Sequence, residues 1–292
     1  DRFGEKPLYY ARHGQVLIFG SELGALRVVP GFSPTVDRVA LGEYFRWTNI
    51  PAPRTIFEEV SKLEPGHLVH VTDSGILPEP EPYWSLVDEA QLADGPSTGS
   101  DWLSEFDSVF QQAVAGRMVA DVPLGAFLSG GVDSSAIVAM MQRMSTDSVR
   151  TFTVSFPGTA FDEGGYASAV AQHLGTDHTE LKVSPDDAMA VIPLLPAMYG
   201  EPFADSSQVP TYLVSRMASE HVTVALSGDG GDELFGGYER YRRLHQLGRV
   251  RDALPRFVRR GLAQGMQAVS VSGWDRIAQG VAGPILPRAL RR

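Results

Sequence analysis

The sequence predicts an α/β protein with a parallel sheet that carries helices on both faces, preceded by a smaller β-rich part. Between about residues 101 and 227, short apolar runs alternate with segments of helical period. Two of these apolar runs end in glycine-rich loops, as strands do at the ligand-binding edge of an open α/β sheet. Upstream of residue 84, alternating residues and prolines indicate short strands and turns instead.

The first elements are a predicted hairpin and a predicted helix. Residues 8–11 and 16–19 alternate in polarity, so we expect two antiparallel strands turned at residues 12–14. Residues 38–48 cluster their apolar side chains as an amphipathic helix does. A β-hairpin followed by a helix is therefore expected near the start of the chain.

A short strand, a proline-rich stretch and a linker follow. Residues 67–71 are typical of a strand, and the prolines at 78, 80 and 82 indicate extended backbone because each disfavours a helix at the preceding residue. Residues 85–100 end in Gly-Pro-Ser-Thr-Gly-Ser and are the predicted linker. The elements expected after it are a helix from residue 102 to 114, strands at 123–128, 151–156 and 221–226, and a helix at 136–144.

Composition limits the class of protein. A length of 292 residues suggests about two domains, and the absence of cysteine excludes disulfides, thiolate metal sites and a cysteine nucleophile. A net charge of -10 argues against a broad nucleic-acid surface. The sequence has neither an apolar stretch of membrane-spanning length nor a signal pattern at residue 1. We therefore expect a cytoplasmic enzyme without nucleic-acid or membrane partners.

The most informative segment is Ser-Gly-Gly-Val-Asp-Ser-Ser at residues 129–135, between a predicted strand and a predicted helix. Glycines allow close backbone approach, and the amides at a helix start attract phosphate oxygens. Asp133 would repel a polyphosphate unless a divalent cation such as Mg²⁺ lay between them. The spacing matches neither a Walker loop nor a dinucleotide motif. The alternative is an ordinary turn with Asp or Ser as the helix N-cap.

A second segment, at residues 227–233, repeats the arrangement of a strand followed by Ser-Gly and acidic residues. Ligands of open α/β sheets bind beyond the carboxyl ends of the strands. The two loops could therefore place Asp133 and Asp232 on one Mg²⁺–nucleotide complex. The alternative for this segment is a surface turn with solvated carboxylates.

Together these loops resemble those of the asparagine synthetase (glutamine-hydrolysing) family, whose ATP-pyrophosphatase domain carries both. Further similar segments are residues 151–156, 161–175 and 201–213, and upstream residues 1–10, 20–22 and 63–67. The resemblance covers about residues 1–243. It implies the end of a class II glutamine amidotransferase domain, antiparallel and β-rich, at residues 1–84. An ATP-pyrophosphatase domain of the adenine-nucleotide hydrolase-like fold, truncated or divergent at its end, is implied at residues 101–292.

The resemblance also implies ATP, Mg²⁺ and a set of site residues. Residues implied to contact the nucleotide are Leu128, Ser129, Gly130, Gly131, Asp133, Ser134, Ser135, Val154, Ser227 and Gly228. Asp133 and Asp232 are the implied metal ligands, Asp205 and Ser206 would face the acid substrate, and Asp229 and Glu233 are the implied catalytic carboxylates. Asp229 could accept a proton from the attacking amine or could accept hydrogen bonds that stabilise its loop.

The implied activity is that of an ATP-dependent amide-forming ligase. It would adenylate a carboxylate, foremost L-aspartate, release pyrophosphate, and let ammonia derived from glutamine displace AMP. Two alternatives stay open, namely the same chemistry on a different acid and a nucleotide-binding remnant without activity. Family members often form homodimers, so a homodimer is also expected.

Two residues that the family uses are missing from this sequence. Its glutaminases have an N-terminal cysteine, whereas this chain has no cysteine, so we expect no glutaminase activity from these 292 residues. Its synthetase domains supply a lysine after the second loop, whereas lysine occurs here only at positions 6, 62 and 182. We therefore expect a fragment or a chain with a divergent tail.

Overall fold

The structure is a computed structural model that describes residues 1–71, 79–92, 101–159, 162–270, 272–274 and 276. It contains two compact units, Asp1–Gly228 and Asp229–Arg292. The first unit has a small antiparallel part and a parallel sheet with helices. The described part of the second unit is helical. The predicted α/β class is confirmed.

The antiparallel part begins with the predicted hairpin. Its elements are β1 (Tyr9–His13), β2 (Val16–Gly20), α1 (Leu23–Arg27), α2 (Arg38–Trp47), β3 (Val60–Lys62), β4 (His67–Leu68) and β5 (Glu81–Pro82). Strand β1 lies between β2 and β3 in one sheet, and β4 pairs with β5 in another. The hairpin turns at residues 14–15, one step later than expected, because Gly14 adopts the positive φ of 61° that the turn needs. The strand expected at 67–71 is limited to β4.

A compact apolar core holds this part together. Helix α2 starts at Asp37, whose carboxylate accepts hydrogen bonds from the backbone nitrogens of Val39 at 2.7 Å and Ala40 at 3.2 Å. This cap satisfies backbone N–H groups at the start of α2, whose Ala40 is buried in the same core as Ala11 and Ile18 of the hairpin. The buried core residues are Ala11, Ile18, Leu23, Leu26, Ala40, Ile50, Ile56 and Val60.

The second part of the first unit is a parallel sheet with flanking helices. Helix α3 (Leu86–Leu92) precedes this part. The elements of the part itself are α4 (Asp101–Met118), β6 (Leu124–Phe127), α5 (Val132–Met144), β7 (Arg150–Ser155), α6 (Gly164–Leu174), β8 (Asp177–Lys182), α7 (Pro185–Val191), α8 (Leu195–Met198), α9 (Gln208–Ser219) and β9 (Val224–Leu226). The strand order is β8-β7-β6-β9, and all neighbours are parallel. Within the predicted linker, residues 86–92 form α3, whereas residues 93–100 lie outside the described residues.

Two predicted boundaries differ from the observed ones for local reasons. Helix α5 begins at Val132 rather than at residue 136, because Gly130 turns the chain with a φ of 82° and Gly131 is the N-cap. Strand β9 begins at Val224 rather than at residue 221. The preceding residues, His221 and Val222, instead donate their backbone N–H groups to Ala218 O at 2.9 and 2.8 Å, which completes the end of α9.

The second unit contains α10 (Gly231–Phe235), α11 (Glu239–Ala253) and α12 (Arg256–Ala268). The short helix α10 lies between Gly230, with a φ of 91°, and Gly236, with a φ of 68°. Both glycines adopt the left-handed conformation that ends and starts tight helical turns. Across the described residues, no helix is both long and apolar enough to cross a membrane.

Candidate functional site

The first glycine-rich loop and the start of the second, at residues 227–228, meet at one edge of the parallel sheet. Strands β6 and β9 are parallel neighbours with Ala126 opposite Leu226, so the loops that follow them leave from the same edge. A Cβ on Gly228 would lie 2.7 Å from the backbone nitrogen of Ser134 and 2.9 Å from the carbonyl carbon of Asp133. Real Cβ atoms do not approach backbone so closely. Glycine at 228 therefore allows the backbone after β9 to pack directly on the first turn of α5.

The first loop is stabilised by hydrogen bonds between its own residues. The Ser134 hydroxyl lies 2.9 Å from the Ser129 hydroxyl and accepts a bond of 3.2 Å from the Ser129 backbone nitrogen. It also lies 3.4 Å from Gly131 O, to which it can donate. The Ser129 hydroxyl in turn accepts from the Gly131 backbone nitrogen at 3.2 Å. Because Ser134 is buried, its hydroxyl shapes the loop from within.

The loop also packs closely on helix α6. Gly130 has a φ of 82°, and a Cβ there would lie 2.6 Å from the Tyr166 carbonyl carbon and 2.7 Å from the Ala167 backbone nitrogen. A side chain at 130 would meet both a conformational and a steric penalty. The first loop is thus in close backbone contact with Gly228 and, through Gly130, with the start of α6, and these contacts give it a defined shape.

One buried hydroxyl at this turn lacks a hydrogen-bond partner among the residues that the structure describes. The Ser135 Oγ is buried, and within the described part of the chain it makes no hydrogen bond. A buried hydroxyl without a partner is unfavourable, and a bound group that accepts a hydrogen bond would satisfy it. Ser135 lies in the first turn of the 13-residue helix α5, where backbone N–H groups and the helix dipole favour an anion. The turn therefore fits the phosphate oxygens of a nucleotide.

The donor set at this turn also fits a shared magnesium ion. Asp133 lies half-buried in the first turn of α5. Among the described residues there is no cluster of three or more His, Asp or Glu side chains that could hold a metal on their own. Mg²⁺ in nucleotide sites takes one or two carboxylates and completes its shell with phosphate oxygens and water. Asp133 fits that role.

Leu128 and Val154 contribute to the site through the fold. The backbone nitrogen of Leu128 donates to Phe152 O at 2.9 Å, and its carbonyl accepts from the Thr153 hydroxyl. The Leu128 side chain is 1% exposed, so it anchors the start of the loop in the core. Val154 is half-buried on β7 and packs against an apolar cluster that includes Leu213.

Asp205 and Ser206 lie on the segment that leads into α9. The Asp205 carboxylate accepts a hydrogen bond of 2.8 Å from the Ser207 backbone nitrogen, and this bond lowers the pKa of Asp205. The buried Gln208 side chain donates to Phe203 O and Asp205 O, both at 2.7 Å. Ser206 is exposed. The turn is thus ordered by its own hydrogen bonds, with the Asp205 carboxylate ionised at neutral pH.

In the second unit, Asp229 is exposed, and Asp232 lies in the first turn of α10. A Cβ on Gly237 would collide with the Asp232 carboxylate, and the Gly237 backbone nitrogen donates to Asp232 O at 3.0 Å. The glycine at 237 therefore leaves room for this carboxylate beside the end of its own helix.

Glu233 has a partner that sequence reasoning did not identify. The Tyr238 hydroxyl donates to Glu233 Oε1 at 2.7 Å. This bond lowers the pKa of Glu233 and, by the same interaction, raises the pKa of Tyr238 to about 12. Arg240 lies over the Tyr238 ring, 4.2 Å from its centroid. The bond thus favours the ionised form of Glu233.

The chain matches two family descriptions. Residues 105–284 match Asparagine synthase, and residues 1–84 match Glutamine amidotransferase domain. The chain belongs to the asparagine synthase family. The resemblance drawn from its two loops is confirmed.

Three relatives illustrate the range of the asparagine synthase family. The putative asparagine synthetase [glutamine-hydrolyzing] 2 of Methanocaldococcus jannaschii is 37% identical over 89% of this chain and 50% of its own length. Asparagine synthetase [glutamine-hydrolyzing] 1 of Bacillus subtilis is 35% identical over 83% of this chain and 37% of its own length. Amidase chry2 of Gibberella zeae is 27% identical over 83% of this chain and 38% of its own length. The chain thus spans half or less of the length of these curated relatives.

Within the first unit, this asparagine synthase family chain brings together two groups of residues expected around the nucleotide, at 128–135 and 227–228. Asp205 and Ser206 lie on a different segment, the one that leads into α9. Sequence reasoning missed Thr153 and Tyr238, which hold Leu128 and Glu233. The sequence signal for both residues was weak, because Thr153 lies in a buried strand and Tyr238 follows a pair of glycines.

Proposed function

We propose that this chain carries the adenylating site of an ATP-dependent amide-forming ligase, with L-aspartate as the acid and ammonia as the amine. The observation that carries the proposal is the contact of Gly228 with the Asp133–Ser134 backbone at the carboxyl edge of the sheet. It joins two glycine loops around a helix start that bears an unpartnered buried hydroxyl, Ser135 Oγ. Membership of the asparagine synthase family supports the same reaction class.

Binding of the triphosphate would rest mainly on backbone and hydroxyl donors. The amides at the start of α5 and the Ser135 hydroxyl donate to phosphate oxygens, while Ser129 and Ser134 keep the loop in shape. Val154, Ser227 and Gly228 are the proposed neighbours of the adenosine. Mg²⁺ held by Asp133 would neutralise part of the phosphate charge, which favours attack on the α-phosphorus. Asp232 stays a metal ligand predicted from the sequence.

The proposed reaction has two steps. In the first, a carboxylate oxygen attacks the α-phosphorus, a new O–P bond forms and pyrophosphate leaves. In the second, ammonia attacks the activated carbonyl carbon, loses a proton, and AMP leaves with the former carboxylate oxygen. Asp229 and Glu233 are the proposed catalytic carboxylates, with Asp229 as the proposed acceptor of the amine proton. The protein's contribution is chiefly positioning and charge compensation.

The ammonia is proposed to come from glutamine. The match of residues 1–84 to the glutamine amidotransferase domain supports this source. On the same basis we propose that residues 1–84 and residues 101–292 are two domains joined by a linker at residues 85–100. With no cysteine nucleophile in these 292 residues, we propose that the chain by itself uses free ammonia.

A second candidate is the same adenylation on a different carboxylic acid. Aspartate would need a cation for its α-carboxylate near Asp205 and Ser206. Arg216 lies in the last turn of α9, eight residues after Gln208, or about 12 Å along the helix axis at 1.5 Å per residue. That distance from the Asp205 segment favours an acid with a different second group. The amidase-named relative is compatible with such a difference.

Product analysis tests both candidates. Purified chain is incubated with Mg²⁺-ATP, L-aspartate and ammonium, and AMP, pyrophosphate and asparagine are quantified. Equal amounts of all three, lost in Asp133→Ala and kept in Asp107→Ala, are the expected result. Asp107 is a matched control because it is a surface acid paired with Arg143. AMP formed only with another acid supports the second candidate, and ATP binding without AMP from any acid contradicts the ligase proposal.

A further inference from the structure

A partly buried ion pair joins the antiparallel part to the segment that carries Asp205. Lys62 Nζ lies 2.6 Å from Glu201 Oε1, and the two side chains are 17% and 13% exposed. Lys62 is the last residue of β3, and Glu201 lies 139 positions later in the sequence. Charges this far removed from water require well-placed partners.

Both members of the pair are also bonded to backbone groups. Lys62 Nζ donates to Ile50 O at 2.9 Å, and Glu201 Oε2 accepts from the Ile56 backbone nitrogen at 3.1 Å. Lys62 Nζ lies 5.6 Å from the centroid of the Tyr9 ring. Each carboxylate oxygen of Glu201 therefore has a partner from the antiparallel part. Such a network contributes more to defined geometry than to net stability.

Two further contacts hold the same segment, residues 200–207, against the antiparallel part. The Ala204 backbone nitrogen donates to Thr48 O at 2.8 Å. A Cβ on Gly200 would lie 2.7 Å from the buried Leu23 Cβ, so the backbone at 200 is in direct contact with α1. The segment is thus fixed at positions 200, 201 and 204 from one side.

The other end of the segment is fixed by α9. Gln208 is 8% exposed, and its amide donates to Phe203 O and Asp205 O. Asp205 and Ser206 lie between the last contact with the antiparallel part, at Ala204, and this buried glutamine. Their backbone conformation therefore depends on both anchors.

We propose that Lys62 and Glu201 are positioning residues that hold the 200–207 segment, and with it Asp205 and Ser206, in the conformation that binds the acid substrate. The role in acid binding rests on the proposed function, whereas the mechanical role does not. Through this pair, the part of the chain matching the amidotransferase domain sets the geometry of the acid-binding turn. Lys62 and Glu201 do not touch the reacting atoms; they act through the turn.

Amide hydrogen exchange of the purified chain tests the mechanical role. Peptides covering residues 200–208 should exchange at least about tenfold faster in Lys62→Met and in Glu201→Gln, since opening of this segment would no longer break the ion pair. Peptides covering residues 128–135 should be unchanged. Lys62→Arg should retain most of the protection. Arg54→Met is the matched control, because Arg54 forms its ion pairs with Asp37 and Glu43, both within the antiparallel part.

The outcomes are distinct. Unchanged amide exchange at residues 200–208, or the same acceleration throughout the unit or in Arg54→Met, overturns the proposal.

In preparations that form AMP, Lys62→Met should raise the KM for the acid about tenfold or more while leaving the KM for ATP within about twofold. Lys62→Arg should return the KM for the acid to the wild-type value. An equal rise in both KM values would overturn the role in acid binding. Failure of the wild-type chain to form AMP from any acid counts against the proposed function, and the exchange measurement then decides the role of the pair.

Discussion

Gly228 and Ser134 are in backbone contact: a Cβ on Gly228 would lie 2.7 Å from the Ser134 nitrogen. The contact joins the ends of β6 and β9, two parallel neighbours of the sheet. Because the Ser134 nitrogen belongs to the first turn of α5, Gly228 lies beside the helix start that we propose for phosphate binding. The second loop thus supports the first one from the adjacent strand.

Gly228→Ala should therefore disturb both loops. We expect the free energy of unfolding to fall by about 1–3 kcal/mol, because backbone must move to admit the methyl group. The Kd for ATP should rise about tenfold or more, which corresponds to about 1.4 kcal/mol. Urea denaturation and calorimetric titration measure the two quantities. Gly116→Ala is the control: Gly116 lies inside α4 with open space at its Cβ, so alanine should stabilise the protein by about 0.5–1 kcal/mol. A neutral Gly228→Ala would contradict the contact.

The two neighbouring serines should respond in opposite ways. Ser134→Ala removes the partner of the Ser129 backbone nitrogen and hydroxyl, so it should destabilise the protein by about 1–3 kcal/mol. Ser135→Ala removes a buried hydroxyl that has no partner in the described structure, so stability should stay equal or rise slightly. Ser135→Ala should nevertheless weaken ATP binding. Thermal melts with and without Mg²⁺-ATP distinguish the two effects, and full ligand-induced stabilisation in Ser135→Ala would argue against phosphate contact.

Glu233 should control the ionisation of Tyr238. The hydrogen bond between them raises the pKa of Tyr238 to about 12, so at pH 11 about a tenth of its hydroxyl should be ionised. Glu233→Gln removes the negative charge and should return the pKa towards 10, with most of the phenol ionised at the same pH. NMR of ¹³Cζ-labelled tyrosine follows the titration, and Tyr238→Phe identifies its signal. Identical titration curves for wild type and Glu233→Gln would show that the hydrogen bond does not form.

His178 should make stability depend on pH. Burial lowers its pKa against the opposing effect of the Glu180 carboxylate, and its Nδ1 lies 2.9 Å from the Thr151 hydroxyl. Below about pH 6.5 the unfolded chain therefore binds a proton that the folded chain resists, so the free energy of unfolding decreases as the pH falls from 6.5 towards the lowered folded pKa. Urea midpoints at about pH 7.5 and 5.5 should differ less in His178→Asn than in the wild type. His173→Asn, at the exposed end of α6, should keep the wild-type difference.

The elements that the sequence predicts well are those with a strong local period. The hairpin of β1 and β2, helix α4 and strand β7 all lie within a few residues of their expected positions. The boundaries that differ are set by contacts outside the local pattern. Helix α5 starts early because Gly130 and Gly131 turn the chain, and β9 starts late because residues 221–222 complete α9. Propensity alone does not encode these endings.

The sequence by itself determined the α/β class, the family, and the two loops where glycines and acids follow buried strands, because these depend on short-range period and spacing. The tertiary structure decided which groups those loops leave for a ligand. It showed that Ser134 is used internally while Ser135 is not, and that Gly228 contacts the start of α5. It also paired Lys62 with Glu201, 139 residues apart. Such pairings depend on packing between distant segments, which a linear pattern does not specify.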